Sequence, residues 1–398
     1  MNKYQALILQ AVIFIAFAAM TLPYPSIAPI FLSAKKTIHS TGFLAFIPYK
    51  LQASLVLGCY PLGLFLGGIL FGYLSDKYNK KLLLLLSLIA ASFTNLISAN
   101  LVSNGLPEFL LLTRFLSGLF EGNIVIARAA LAVISTTESA KKKHFSRANA
   151  ALTLGWTIGP LVGAFISHNQ YTANNYGMPF YIASILILSV FLLVLFKFET
   201  PTNLSSKFNK NKPIEVLNSK LLNKKIIPLF LFSFLITLGI DSFYQFLPIF
   251  LAASQTHSST FIIGIAVSTV AICGTTTNLL LIPKLNHHIS TTKSIIIFPI
   301  LLSLCFVLLT VINIFIVLPF IGALIAIIMT NMTVYLSMKC SDANQGKLMG
   351  ILLGQRTLGT ALISFFMAPL LNYGYTVPFF IGAFLLILSS YISSRVIN

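Results

Sequence analysis

Gly155-Trp-Thr-Ile-Gly159-Pro160-Leu-Val-Gly163-Ala164 sits inside an apolar segment long enough to cross a bilayer as one helix. Its glycines at i, i+4 and i+8 fall on nearly one helix face, and a face without side chains lets a second helix approach closely. Pro160 removes a backbone donor and predicts a bend at that point. A close-packed, bendable span suits a machine that rocks between two shapes.

The rest of the chain has the same character. Its 398 residues are 57% hydrophobic and 9% charged, with a mean hydropathy of +0.91, which excludes a soluble domain. Twelve apolar stretches have the length of a spanning helix: about 5–32, 51–74, 82–101, 107–135, 148–167, 178–197, 227–252, 261–283, 294–313, 315–338, 348–371 and 377–395. Continuous apolar runs, rather than alternation, select helices over a barrel. The expected fold is an all-α integral membrane protein with twelve transmembrane helices in two pseudo-symmetric six-helix bundles. The hydrophilic stretch 199–226, rich in Lys, Asn and Ser, reads as a cytoplasmic linker between an N-terminal bundle, 1–198, and a C-terminal bundle, 227–398. That division marks a transporter that holds substrate at the bundle interface near the midplane. Gly350-Ile-Leu-Leu-Gly354-Gln-Arg-Thr-Leu-Gly359 in span 11 echoes the span 5 ladder six helices later.

The net charge of +18 is not a nucleic-acid footprint, because of where the cations fall. Twenty of the 26 Lys and Arg lie at the termini or in the loops after even-numbered spans, including Lys77, Lys80, Lys81 and seven lysines between Lys197 and Lys225. The opposite loops hold only Lys35, Lys36 and Lys50. The bias places both termini and the linker in the cytoplasm. Residues 5–32 are expected to be an uncleaved first helix rather than a signal peptide, since eleven spans follow. Cys59, Cys273, Cys305 and Cys340 have no close pairing, and His287-His288 has no further ligands beside it. No disulfide, metal or cofactor is expected.

The loop after span 2 reads Gly72-Tyr-Leu-Ser-Asp76-Lys77-Tyr-Asn-Lys80-Lys81. It resembles the signature loop of the major facilitator superfamily, and the resemblance covers essentially the whole chain. Asp76 is expected to face a helix N-terminus of the opposite bundle, with the lysines holding the loop at the surface. Asn79 stands where the family has Gly, and Asn tolerates the left-handed backbone of a tight turn. Arg114-Phe-Leu-Ser-Gly118 in span 4 resembles the Arg-x-x-x-Gly motif of the drug:proton antiporter branch. The ladder of Gly155, Gly159, Pro160 and Gly163 resembles the antiporter motif of that branch, with Ala164 in place of the last Gly. The resemblance implies export driven by proton exchange; helix packing alone also accounts for such a ladder.

Five charges lie inside spans: Arg114, Glu121, Arg128, Asp241 and Arg356. Each costs about 2.5–3.5 kcal/mol on insertion scales and needs a partner or a wet cavity. Arg114, Glu121 and Arg128 are seven residues apart, which on a continuous helix makes one stripe. Glu121, near the centre of its span, is the proton-carrier candidate, because opening the cavity to alternate sides changes both its solvation and its exposure to arginine. The alternative is that Glu121 neutralises an arginine so that span 4 can insert. Arg114 is assigned by its motif to proton relay or gating. Arg128 lines the cavity or packs on the signature loop.

Asp241 in span 7, followed by Tyr244 and Gln245, is expected to bind a cationic substrate or a second proton, unless Arg356 pairs with it and silences both. Tyr24, Asn123, Trp156, Asn331, Tyr335 and Gln355 complete the candidate cavity. Pro23, Pro25 and Pro29 predict a break near the outer end of span 1.

These readings combine into a proton-coupled exporter of small molecules in a bacterial inner membrane, functional as a monomer, with protons and a small-molecule substrate as its partners. The rival is proton-coupled uptake of an anionic nutrient or siderophore, suggested by three intramembrane arginines against two carboxylates and by the missing last Gly. No Gly-x-x-x-x-Gly-Lys-Ser/Thr loop is present to use ATP, and no His-Glu-x-x-His or Gly-x-Ser-x-Gly to support an enzyme.

Overall fold

The computed structural model describes residues 2–32, 46–135, 138–167, 173–199, 227–253, 260–282, 285, 289–338 and 345–397. The central linker, His287-His288 and Cys340 lie outside the described residues, as does the side chain of Asp76. The helices are α1 (Asn2–Thr21), α2 (Tyr24–Leu32), α3 (Tyr49–Lys77), α4 (Lys80–Ser103), α5 (Leu110–Phe120), α6 (Asn123–Ile134), α7 (Glu138–Ile166) and α8 (Ala173–Lys197). They continue with α9 (Ile227–Ala253), α10 (Thr260–Thr276), α11 (Thr291–Leu308), α12 (Ile314–Met338), α13 (Gln345–Met367) and α14 (Val377–Ile397). Among the described residues, 12 helical segments are long and apolar enough to cross a membrane, from Tyr4–Leu32 to Val377–Val396. Each coincides with an expected span, so the chain is an all-helical, multi-pass membrane protein.

Spans 1 and 4 are interrupted. The first is divided at Leu22-Pro23 between α1 and α2, where the proline cluster predicts it, although Pro29 is accommodated inside α2. The fourth is divided at Glu121-Gly122 between α5 and α6, an interruption the apolar pattern does not announce. Conversely, α7 runs as one helix through Pro160.

The chain divides into two compact units, Met1–Lys212 with Leu251–Ile265 and Pro213–Phe250 with Ala266–Asn398. In the first, an apolar core joins Leu9 and Ile13 of α1, Leu84 and Leu88 of α4, Ile126 and Leu131 of α6, and Ile187, Val190 and Val194 of α8. Its helix pairs are locked by small polar groups as well. Ser92 and Ser184 hydroxyls lie 3.0 Å apart between α4 and α8, and Ser26 and Ser167 lie 2.8 Å apart between α2 and the end of α7. Gly105 adopts φ 72°, the left-handed conformation that turns the chain from α4 toward α5 without a Cβ penalty.

The second unit is centred on aromatic packing. Phe243 of α9 stacks on Phe306 of α11 with ring centroids 5.5 Å apart and planes 17° apart, and meets Phe379 of α14 at 6.3 Å. The Ser390 hydroxyl ties α14 to α11 by donating to the Ile296 carbonyl at 2.6 Å.

Candidate functional site

The span 5 ladder finds its partner in span 1. A Cβ on Gly155 would meet the Phe14 carbonyl oxygen at 2.8 Å, and one on Gly159 the Ala18 carbonyl oxygen at 2.7 Å. One on Gly163 would meet the Leu22 carbonyl carbon at 2.8 Å. Backbone cannot rotate away as a side chain can, so the three glycines set the distance between α7 and α1. The Thr21 hydroxyl lies 2.9 Å from its own-helix Phe17 carbonyl and 3.2 Å from the Gly155 carbonyl, so it adds a polar stitch to the same contact. Beside the contact, Tyr24 and Trp156 bring their rings to 6.4 Å, tilted by 45°.

A second close approach, between spans 2 and 4, escaped the sequence reading. A Cβ on Gly63 or Gly67 of α3 would meet the backbone of Leu119, at the nitrogen (2.8 Å) and the carbonyl carbon (2.8 Å) respectively. One on Gly118 would meet the Leu64 nitrogen at 2.9 Å. Gly118 therefore belongs to a reciprocal glycine contact. The Gly63-x-x-x-Gly67 spacing was its readable signal.

The loop between α3 and α4 differs from expectation in two respects. Asn79 is not left-handed: its φ is −61° and ψ 120°, and its side chain caps α4 by accepting from the backbone N–H of Lys81 at 2.8 Å and Leu82 at 3.4 Å. Lys80 is buried rather than held at the surface, and its ammonium donates to the Ser75 carbonyl at 2.7 Å near the end of α3. Lys77 is exposed, bonded to the Tyr73 hydroxyl with its Nζ 4.2 Å from that ring's centroid, and Lys81 is half-buried. Gly72 has room, with Val125 Cγ1 3.8 Å from a Cβ there.

The break in span 4 places a carboxylate at its centre. Glu121 is 1% exposed and follows the last residue of α5; its N–H still reaches the Ser117 and Gly118 carbonyls, each at 3.1 Å. The helix restarts at Asn123, and the side-chain-free Gly122 leaves room for the Phe71 ring. Asn123 Nδ2 donates to Glu121 Oε2 at 3.1 Å, so this residue, expected in the cavity, instead supports the carboxylate. Nε and Nη1 of Arg114 are buried without a hydrogen-bond partner, and the buried Tyr60 hydroxyl adjoins the Glu121 carboxylate as a side-chain hydrogen-bonding neighbour. The Arg114 guanidinium lies over the Tyr60 ring, 4.2 Å from its centroid, and 5.9 Å from that of Phe180.

Arg114 and Glu121 are electrostatic neighbours. Arg128 turns aside, half-buried, with Nη2 donating to Asn149 Oδ1 of α7 at 2.9 Å. Tyr60 is the group the sequence reading missed. One tyrosine in an apolar span carries no signal of its own.

In the second unit, Asp241 is 3% exposed and its Oδ2 lies 2.6 Å from the Thr360 hydroxyl of α13. The alternative reading, an Asp241–Arg356 pair, is not an ion-pair contact among the described residues. Arg356 is exposed, although it is an electrostatic neighbour of both Asp241 and Tyr244. Gln355 Nε2 lies 3.0 Å from both the Phe230 carbonyl and the Ser233 hydroxyl, and so joins α13 to α9. Asn331 is buried and donates to its own helix at Ile327, 3.1 Å away. Tyr335 packs 6.3 Å from Phe232, and Gln245 is buried with its Oε1 unpartnered. Among the described residues, no cluster of His, Cys, Asp and Glu is arranged to hold a metal ion.

Twelve apolar spans with glycine-set helix contacts and buried charges define a polytopic, helical membrane protein. The chain belongs to the major facilitator superfamily, whose family profile matches residues 9–364. It is 34% identical over 132 residues to the class B tetracycline resistance protein of Escherichia coli, a match covering 33% of this chain and 31% of that protein. It is 25% identical over 259 residues to the quinolone resistance protein NorA of Staphylococcus aureus strain MSSA476, covering 65% and 61%. The matches therefore span between about a third and three fifths of these relatives' lengths. The nucleoside transporter NupG superposes with a TM-score of 0.75 at 15% identity over 99% of both chains, and a D-xylose-proton symporter with 0.71 at 16% over 98% and 96%. At that identity the structural likeness speaks for the fold alone.

Proposed function

We propose that this protein is a proton-coupled exporter of small molecules, working by alternating access in a bacterial inner membrane with both termini in the cytoplasm. Residues 1–198 and 227–398 act as the two moving bundles, and a single chain suffices. The observation that carries the reading is the Glu121 carboxylate, enclosed at the turn within span 4 with one oxygen on Asn123 and the Tyr60 hydroxyl beside it. Such a group can serve both protonation states. Ionised, it accepts from Asn123 and is offset by the Arg114 cation; protonated, it can donate to the adjoining Tyr60 hydroxyl oxygen. A helix break lets the carboxylate move relative to Arg114 without unfolding the span. Similarity to tetracycline and quinolone resistance proteins supports the outward direction.

The test is proton movement in everted vesicles whose interior is acidified by respiration. Addition of a transported compound is expected to release protons from vesicles carrying the wild type, and not from those carrying Glu121→Gln. Equal release by both would make Glu121 structural and turn attention to Asp241. If a broad drug panel evokes no release, the outward reading fails and uptake of an anionic nutrient or siderophore replaces it.

A further inference from the structure

Arg114, Arg128 and Arg356 lie inside membrane-spanning segments rather than at their ends, and their guanidinium groups have different fates. That of Arg114 is enclosed, 4% exposed, against Tyr60. That of Arg128 is tied to Asn149. Arg356 is exposed, and its guanidinium makes no hydrogen bond, ion pair or ring contact with a described residue.

Its position follows from its own helix. Arg356 precedes Thr360 by four residues, so both side chains leave α13 on one face. The Thr360 hydroxyl meets Asp241 of α9, so that face is turned toward α9 and away from lipid. A cation in hydrocarbon at this depth costs about 2.5–3.5 kcal/mol, so an exposed guanidinium on a protein-facing side lines a watery space. Asp241 is the nearby anion, yet it is engaged by Thr360 and does not lock the arginine. The guanidinium keeps its five donors in the fork geometry that matches an oxyanion. Tyr244 lies one turn after Asp241, half-buried, and supplies an aromatic wall beside the charge.

We propose that Arg356 is the anion-recognition group of a ligand site in the C-terminal half, and that the ligand is an organic anion: a carboxylate or similar oxyanion on an apolar, ring-sized body. The oxyanion takes the open fork of Arg356, and the apolar body lies along Tyr244 and the apolar side chains around it. Asp241 stands close enough to oppose the incoming charge, which keeps the site weak enough to release its ligand. The site serves transport in either direction and does not depend on the role of Glu121.

The probes are 1-naphthoate, its neutral amide 1-naphthamide, and 1-naphthylmethylammonium, titrated into the purified full-length protein in nanodiscs. Ligand-induced shift of the thermal unfolding midpoint reports binding. For the wild type, naphthoate is expected to bind roughly tenfold or more tightly than the amide or the cation, and Arg356→Gln to erase that preference. Asp241→Asn, which removes the opposing charge, is expected to tighten naphthoate binding. Equal binding of naphthoate and naphthamide by the wild type, or an unchanged naphthoate preference in Arg356→Gln, overturns the proposal. Should Arg356→Gln fail to fold, the charge-balanced Asp241→Asn/Arg356→Gln protein replaces it: loss of the preference supports the assignment, and its retention refutes it.

Discussion

Gly67 and Gly68 are neighbours on α3, and the packing predicts opposite signs for the same substitution at each. A Cβ on Gly68 would meet nothing within 4 Å, whereas one on Gly67 would press on the Leu119 backbone, 2.8 Å from its carbonyl carbon. Replacing a helical glycine by alanine is worth about 0.5–1 kcal/mol through lost chain entropy, and Gly68→Ala should gain that amount. Gly67→Ala receives the same gain but also forces the second and fourth spans apart. Overpacking a fitted contact by a methyl costs about 1–3 kcal/mol. The propensity gain cancels between the two variants, so their difference isolates the packing cost, about 1–3 kcal/mol or roughly 5- to 150-fold in the unfolding equilibrium. Reversible denaturation in mixed micelles, followed by circular dichroism, measures both variants under one set of conditions. Equal shifts in the same direction would falsify the close approach of α3 to α5 at this level.

Two further substitutions separate roles that the structure superimposes. Tyr60→Phe keeps the ring under Arg114 and removes only the hydroxyl beside Glu121, so stability should fall by no more than about 0.5–1.5 kcal/mol while substrate-driven proton release in vesicles falls; Tyr60→Leu should destabilise by about 0.5–2 kcal/mol more, through the lost cation–π contact. Undiminished proton release in Tyr60→Phe would confine the residue to packing. Asn79→Ala should cost about 0.5–2 kcal/mol in the same micelle assay, and Asn79→Asp close to nothing, because a carboxylate caps α4 equally well. A larger loss with Asp than with Ala would contradict the capping role.

The spans were legible because bilayer thickness imposes a length that composition alone can meet, and each expected stretch became a helix. The proline cluster Pro23–Pro29 announced the break in span 1, since a missing donor is visible in the sequence. The break at Glu121-Gly122 was not, and there the Phe71 ring of another helix occupies the space beside Gly122. Seven-residue spacing also did not show that Arg128 is engaged by Asn149 of α7, because that partner lies on another helix. Asn79 was misassigned for a different reason. Asparagine suits both left-handed turns and N-caps, and only the start of α4 at Lys80 decides between them. Tyr60 and Thr360 were invisible as site residues because each acts through a long-range neighbour, Arg114 and Asp241 respectively.

The paired ladders of spans 5 and 11 bear on how two ligands can be coupled. In the first unit the α1–α7 contact is backbone against backbone at Gly155, Gly159 and Gly163. In the second, the nearest atoms to a Cβ on Gly359 of α13 would all be side-chain atoms, of Phe234, Leu238 and Thr237 at 3.3, 3.4 and 3.7 Å, and hydrogen bonds from Gln355 and Thr360 link α13 to α9. The first contact is set by backbone, while the second is set by side chains and leaves Asp241 and Arg356 as electrostatic neighbours. With the proton assigned to Glu121 and the organic anion to Arg356, the two ligands occupy groups in different units and do not compete for one side chain. Their coupling then has to arise from unequal binding to the alternative states of the transporter, since a ligand shifts a conformational equilibrium only by its differential affinity for those states. A coupling of that kind is reciprocal, so loss of the proton group need not abolish anion binding, and loss of the anion group need not abolish protonation. That independence is why binding to Arg356 and proton release through Glu121 have to be measured separately.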